Sequence, residues 1–361
     1  MNDRKGIILT GTVIGILAAS LVKFGNPLNM GICVACFIRD IAGAIGLHRA
    51  GVVQYIRPEI LGFILGSFII ASLTGEFRSN GGSSPIIRFV LGMFVMIGAL
   101  VFLGCPLRMV LRLAGGDLNA MVGILGFIAG ILIGTQFIKK GFTLGRSYIQ
   151  NPVNGYILPA IALILLVFLV TKPGFIFFSE KGPGAAHAPI IVSLAAGLLV
   201  GILAQRSRIC MAGGIRDLYL IKDPHLVLGF VSIFIFALLF NFIFGYFNPG
   251  FENQPIAHND GLWNFLGMLL VGFGSVLLGG CPLRQTILAG EGNTDSAITF
   301  LGMLVGAGIA HNFSLAASPK GVPLNGKIAV IAGIVVIALI GLLNTYCSLK
   351  ANRRGEVSHG A

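Results

Sequence analysis

Ile32-Cys33-Val34-Ala35-Cys36-Phe37-Ile38-Arg39-Asp40 returns 177 positions later as Ile209-Cys210-Met211-Ala212-Gly213-Gly214-Ile215-Arg216-Asp217. A second string, Gly104-Cys105-Pro106-Leu107-Arg108, returns 176 positions later as Gly280-Cys281-Pro282-Leu283-Arg284. Two motifs repeated in the same order at nearly the same separation mark a duplicated chain, each half carrying two cysteine-arginine loops. Those four loops are the first place to look for function.

Their surroundings are apolar. Of 361 residues, 55% are apolar and 11% charged, with a mean hydropathy of +0.92, whereas a soluble domain carries about 25% charged residues. The deficit places the chain in a membrane, with the lipid bilayer as its surroundings. The 52 glycines lie among Leu, Ile, Val and Phe, and in lipid such small residues let helices approach closely. Lys and Arg exceed Asp and Glu by 25 to 13. Part of that excess is a topology signal, and no soluble basic face for nucleic acid is present. The cations that interrupt apolar stretches point instead to an anion path, because a buried guanidinium persists where it has a partner or a substrate.

Spans of roughly 20 apolar residues are expected at Ile7 to Val22, Pro58 to Thr74, Ile86 to Leu103, Leu118 to Phe137 and Tyr156 to Thr171 in the first half. The second half offers Pro189 to Ala204, Leu226 to Phe247, Leu262 to Leu278, Ala297 to Phe313 and Lys327 to Cys347. Five spans per half is an odd number, so the second copy enters the membrane from the opposite side and the repeat is inverted. The chain divides into a first membrane repeat (1–175), a connector (176–187), a second repeat (188–350) and a cytoplasmic tail (351–361). The hydrophilic stretch from Thr171 to Pro189 is the expected hinge between the halves. The start Met1-Asn2-Asp3-Arg4-Lys5 reads as the flank of a retained first span, and basic residues near the chain ends favour both termini in the cytoplasm.

Asn29 to Leu47 and the segment around Arg206 to Ile221 are apolar enough for membrane depth yet carry charge and glycine, as re-entrant segments do. Pro106 and Pro282 suit a first helical turn. A short helix starting at each would leave free amides pointing into a common space, and such a helix start attracts anions.

Cys105 and Cys281 are the strongest candidates on a substrate pathway. A thiol donates a weak S–H hydrogen bond and presents a polarizable sulfur, which matches a soft anion of sulfur or selenium. Cys33 and Cys210 form a second pair, able to pass an anion through several weak contacts. Cys36 has no counterpart, since Gly213 stands in its place; it is a redox partner of Cys33, a packed residue or an accessory ligand. Arg39 with Asp40, and Arg216 with Asp217, are either loop-holding ion pairs or a source of positive potential at a pore mouth. Arg108 and Arg284 lie one helical turn beyond their cysteines and either reach the anion or snorkel to the interface. Asp117 and Glu291 read as helix-start anions, with proton coupling as the alternative. Among the histidines, only His311, near the end of the ninth span, is worth following. No cofactor is implied: a zinc set, a phosphate loop, a dinucleotide fingerprint and a Ser-His-Asp order are all missing from the sequence.

Taken together, the Cys-Pro-Leu-Arg and Ile-Cys-x-Ala-x-x-Ile-Arg-Asp repeats resemble the YeeE/YedE family of sulfur-compound membrane transporters. Asn29 to Glu59 and Phe102 to Asn119 look most like its selenium-metabolism YedE branch. The resemblance implies an all-α polytopic membrane protein with inverted halves, re-entrant loops and short helices forming an hourglass. It also implies import of a thiosulfate-like anion or a selenium compound across a bacterial-type inner membrane. Cys105 and Cys281 would be the central conduction residues, with Cys33 or Cys210 near an entrance. A separate cytoplasmic TusA-like sulfur carrier is the partner that the resemblance suggests. Two other functions fit the residues: an integral membrane thiol oxidoreductase using Cys33-x-x-Cys36, and a structural subunit of a sulfur or selenium assembly.

Overall fold

The computed structural model describes residues 4–353, with side chains through 350; beyond the helical backbone of 351–353, the expected tail lies outside the described residues. Among the described residues the chain forms fourteen helices. The first half runs α1 (Arg4–Lys23), α2 (Val34–Ala44), α3 (Pro58–Leu73), α4 (Pro85–Phe102), α5 (Pro106–Ala114), α6 (Asn119–Lys139) and α7 (Pro152–Thr171). The second half runs α8 (Ile190–Ser207), α9 (Met211–Ile221), α10 (His225–Phe244), α11 (Gly261–Leu277), α12 (Pro282–Gly290), α13 (Thr294–Asn312) and α14 (Leu324–Arg353). Each half therefore reads long, short, long, long, short, long, long. A two-residue antiparallel pairing, β1 (Asn80–Gly81) with β2 (Tyr148–Ile149), ties two first-half loops together.

All ten expected spans are helical, and eight helical stretches are long and apolar enough to cross a membrane. The other two are α3, apolar but 16 residues long, and α13. Starts follow local chemistry: proline occupies the first turn of α3, α4, α5, α7 and α12, where its missing N–H costs nothing. Asn151 and Asn293 cap α7 and α13 by accepting from Val153 N and Ser296 N.

Packing repeats along with the sequence. α1 lies on α10 as α8 lies on α3; α6 lies on α11 as α13 lies on α4; α5 touches α10 as α12 touches α3; and α2 touches α13 as α9 touches α6. The counterparts α4 and α11 also pack on each other, and there the crossing depends on glycine. A Cβ on Gly98 would stand 2.7 Å from Gly267 O, and one on Gly267 would stand 3.0 Å from Gly98 O. Along this pair Gly98 meets Gly267 while Gly274 meets Leu91 and Val95, so α4 and α11 run in opposite directions. The last helices depart from the symmetry: α7 packs on α3 and α12, but α14 packs on α11 and α4.

The connector differs from the hinge that composition suggested. It is stitched to the last residue of α2 by Phe177 N to Ala44 O, and to the loop that follows by Ser179 N to Gln54 O and Gly184 N to Val52 O. Arg57 adds bonds to Ala186 O at 3.0 Å and Pro183 O at 2.6 Å.

Candidate functional site

The four repeated cysteines occupy one structural position. Cys33, Cys105, Cys210 and Cys281 are the N-cap residues of α2, α5, α9 and α12, each with extended backbone angles. All four are buried. An N-cap is where a helix leaves its first amides without intrahelical acceptors, and the dipole there favours negative charge. In α2 and α9 the sulfur itself takes one of those amides, Cys36 N to Cys33 Sγ and Gly213 N to Cys210 Sγ, both at 3.3 Å. In α5 and α12 the following proline sets the first turn.

These caps meet in pairs, one pair per half. Cys210 Sγ lies 3.8 Å from Cys281 Sγ and 3.5 Å from Cys281 N. In the first half Cys105 interacts with Cys33 and with the backbone of Ala35 and Arg108, as Cys281 does with Cys210 and the backbone of Met211 and Arg284. All five buried cysteines are free thiols; two sulfurs 3.8 Å apart are far outside the roughly 2.05 Å of a disulfide. The arrangement presents two closely spaced, polarizable S–H groups at converging helix starts. The pairing joins the first motif of a half to its own second motif, so Cys105 has Cys33 as partner and Cys281 has Cys210.

Arginines take different places. Arg108 spends its guanidinium within the site: Nε donates to Asn29 O at 2.8 Å, Nη1 to Cys36 Sγ at 3.2 Å and Nη2 to Ile256 O at 3.0 Å. It thereby fixes Cys36 beside the first thiol pair and pins the loop before α11 across it. Arg284 instead pairs with Glu291 at 3.0 Å. Arg39 and its sequence neighbour Asp40 do meet, at 2.7 Å, and both are buried; Asp40 also binds Arg57 at 2.7 Å. Arg216 and Asp217 meet at 2.8 Å with side chains 30% and 25% exposed, so the second copy of this pair sits near the surface. Glu291 is not the cap of α13, a role that Asn293 fills, while Asp117 accepts from Asn119 N at 3.0 Å and pairs with Arg112 at 2.6 Å.

Sequence reasoning passed over several buried groups: Arg57, Arg112, Glu59 and His48. Arg112 had a signal, since it stands one turn after Arg108 on the same short helix. The rings of His48 and His311 lie 4.5 Å apart between centroids, tilted by 33°, and His48 Nε2 is 3.0 Å from Arg39 O. His311 lines a cavity of about 440 Å³ with Ser314, Ser318 and Lys320. A cavity of about 220 Å³ opens between α1 and α10 beside Asn29.

Known proteins resemble part of this chain. Residues 206–358 match a protein family described as sulphur transport. That stretch contains Cys210, Cys281 and Arg284. Over 122 residues the chain is 30% identical to the thiosulfate transporter TsuA of Escherichia coli, covering 32% of each protein. Over 116 residues it is 34% identical to the thiosulfate transporter TsuA of Spirochaeta thermophila, covering 32% of this chain and 34% of the relative. The similarity thus spans about a third of the length of these relatives. At family level the match is to sulfur-compound transporters.

Proposed function

We propose that this chain is a membrane transporter that carries a soft, sulfur-containing anion of the thiosulfate type past thiols at the starts of its four short helices. The observation that carries this reading is the common position of Cys33, Cys105, Cys210 and Cys281 as buried N-caps in two pairs. Free amides and the positive helix end attract an anion. S–H groups suit a diffuse, polarizable charge such as a terminal sulfur better than a hard oxyanion. A path of weak contacts lets the ion leave as readily as it enters.

The inverted arrangement belongs to the same proposal. Opposed directions of α4 and α11 and five long helices per half support it. On this reading α2 and α5 approach the centre from one face and α9 and α12 from the other, giving an hourglass with one thiol pair per side. Arg39, Arg108, Arg216 and Arg284 supply positive potential along the route, with Asp40, Cys36 and Asp217 as accessory groups beside the first three and Glu291 beside the last. A selenium analogue shares the chemistry, as does delivery at a bacterial inner membrane, with cytoplasmic termini, to a separate TusA-like carrier.

The test is flux through purified protein in sealed vesicles, comparing thiosulfate with sulfate and selenite with selenate. Preference for thiosulfate over sulfate supports the reading. Equal flux of both, or preference for sulfate, contradicts it.

A further inference from the structure

A polar cleft of about 440 Å³ stands at the end of α13. It opens to the surface, because Ser314, Ser318 and Lys320 on its rim are exposed. Its floor reaches the end of α4: Ala316 lines it, and the next residue, Ala317, donates its N–H to Leu100 O at 3.2 Å. Leu100 stands five residues before Cys105. To one side α2 touches α13, and Asn312 Nδ2 donates to Leu47 O at 2.8 Å, holding the loop after α2 against the same end of α13. The cleft therefore leads from the surface toward the elements that set Cys33, Cys36 and Cys105.

One group in its wall lacks a partner. His311 Nε2 is buried without a hydrogen bond, although buried polar atoms are ordinarily satisfied. The ring beside it shows the contrast. His48 Nδ1 accepts from Ala50 N at 3.3 Å, so its proton sits on Nε2 and goes to Arg39 O at 3.0 Å. That imidazole is neutral with both nitrogens engaged, and it packs at 4.5 Å against a His311 ring that keeps a nitrogen to spare. The charge around the two rings is positive. Asp40 is shared between Arg39 and Arg57, so one carboxylate faces two guanidiniums. The Arg39 charge reaches the His311 ring, and Lys320 stands at the rim.

An imidazole N–H, two hydroxyls and an ammonium are hard donors, suited to the oxygens of a sulfonate or sulfate group rather than to a polarizable sulfur. Resting on the transport reading above, we propose that this cleft is a binding station that holds the anion by its oxygen end before the first thiol pair takes its sulfur, with His311 and Lys320 as the binding residues. The station accepts sulfate as readily as thiosulfate, and discrimination falls to Cys33 and Cys105. Sulfate thus enters the cleft, goes no further and blocks it.

Thiosulfate uptake into sealed vesicles tests this, with sulfate as competitor. In wild type, sulfate inhibits uptake competitively without being carried. His311→Ala raises the thiosulfate concentration for half-maximal uptake about tenfold, as loss of a hydrogen bond to a charged group does, and weakens sulfate inhibition to match. His311→Gln, which keeps an N–H donor, restores much of the affinity. Lys320→Gln, at an exposed position, shifts both constants the same way by less. Sulfate that leaves thiosulfate uptake unaffected, or wild-type constants in both His311→Ala and Lys320→Gln, overturns the proposal. Labelling reads the station without flux, using Ser314→Cys in a Cys347→Ala background that removes the exposed native thiol. Sodium sulfate slows maleimide labelling at position 314, and sodium chloride at equal ionic strength does not; equal rates in the two salts overturn the proposal as well. Protection at 314 with no thiosulfate movement removes the transport reading and keeps the station. Thiosulfate flux with neither protection nor sulfate inhibition removes the station and keeps the transport reading.

Discussion

Cys347 is the exposed cysteine in a chain whose other five are buried. A maleimide that labels the folded protein should therefore react at one site, fall to none in Cys347→Ala, and reach all six thiols after denaturation in detergent. Early labelling of Cys36 would instead indicate the open, reactive dithiol that an oxidoreductase needs. Arg112 and Asp117, both fully buried and 2.6 Å apart, make a second residue-scale prediction. Removing one partner of such a pair leaves an uncompensated buried charge and costs about 3–5 kcal/mol, so Asp117→Ala should lower the thermal midpoint sharply. A change of both partners to apolar residues should recover much of the loss. Glu76, in the loop after α3, accepts from Gln205 at 2.7 Å, Arg206 at 2.8 Å and Arg208 at 3.2 Å. The Gln205 bond, aided by both arginine charges, holds its carboxyl below the usual range against the opposing effect of burial. A depressed acid stabilises the fold above its unfolded value, about 4.3, and loses that contribution as pH falls through the folded one. Thermal midpoints should therefore drop in acid below that range, with a smaller acid drop in Glu76→Gln.

At the scale of elements, the ten long helices and the short helices at Pro106 and Pro282 were legible because apolar runs and helix-start prolines are local signals. The common role of the cysteines was only half legible. Gly-Cys-Pro points to a cap before a proline, but Cys33 and Cys210 precede Val34 and Met211, and nothing in those neighbours announces a helix start. The pairing of Cys210 with Cys281 depends on a turn at Gly279, with φ near +79°, that brings α12 back toward α9. Its first-half counterpart, Leu103, adopts the same left-handed turn at φ +61° without being glycine. Burial of Arg39 against exposure of Arg216 was invisible in two identical Arg-Asp pairs, because Arg57, outside the repeated string, recruits Asp40 in one half alone. Close helix crossings give the element-scale prediction. Gly98→Leu should force α4 from α11, since even a Cβ there meets Gly267 O at 2.7 Å, and yield of folded protein should fall severely while an exposed substitution such as Leu163→Ala leaves it unchanged.

For the whole molecule, the repeat places one thiol pair in each half and leaves the final helices unequal, with α7 against α3 and α14 against α4 and α11. The two pairs are not equivalent, since Arg108 donates to Cys36 Sγ beside the first while Arg284 pairs with Glu291 beside the second. The claim at the centre of this account is that the sulfurs themselves select the ion. Uptake of thiosulfate and sulfate by a folded Cys105→Ala, Cys281→Ala double variant in sealed vesicles tests it most directly. The account predicts that thiosulfate flux collapses while the thermal midpoint stays close to wild type; undiminished, thiosulfate-selective flux through the same folded variant would contradict it.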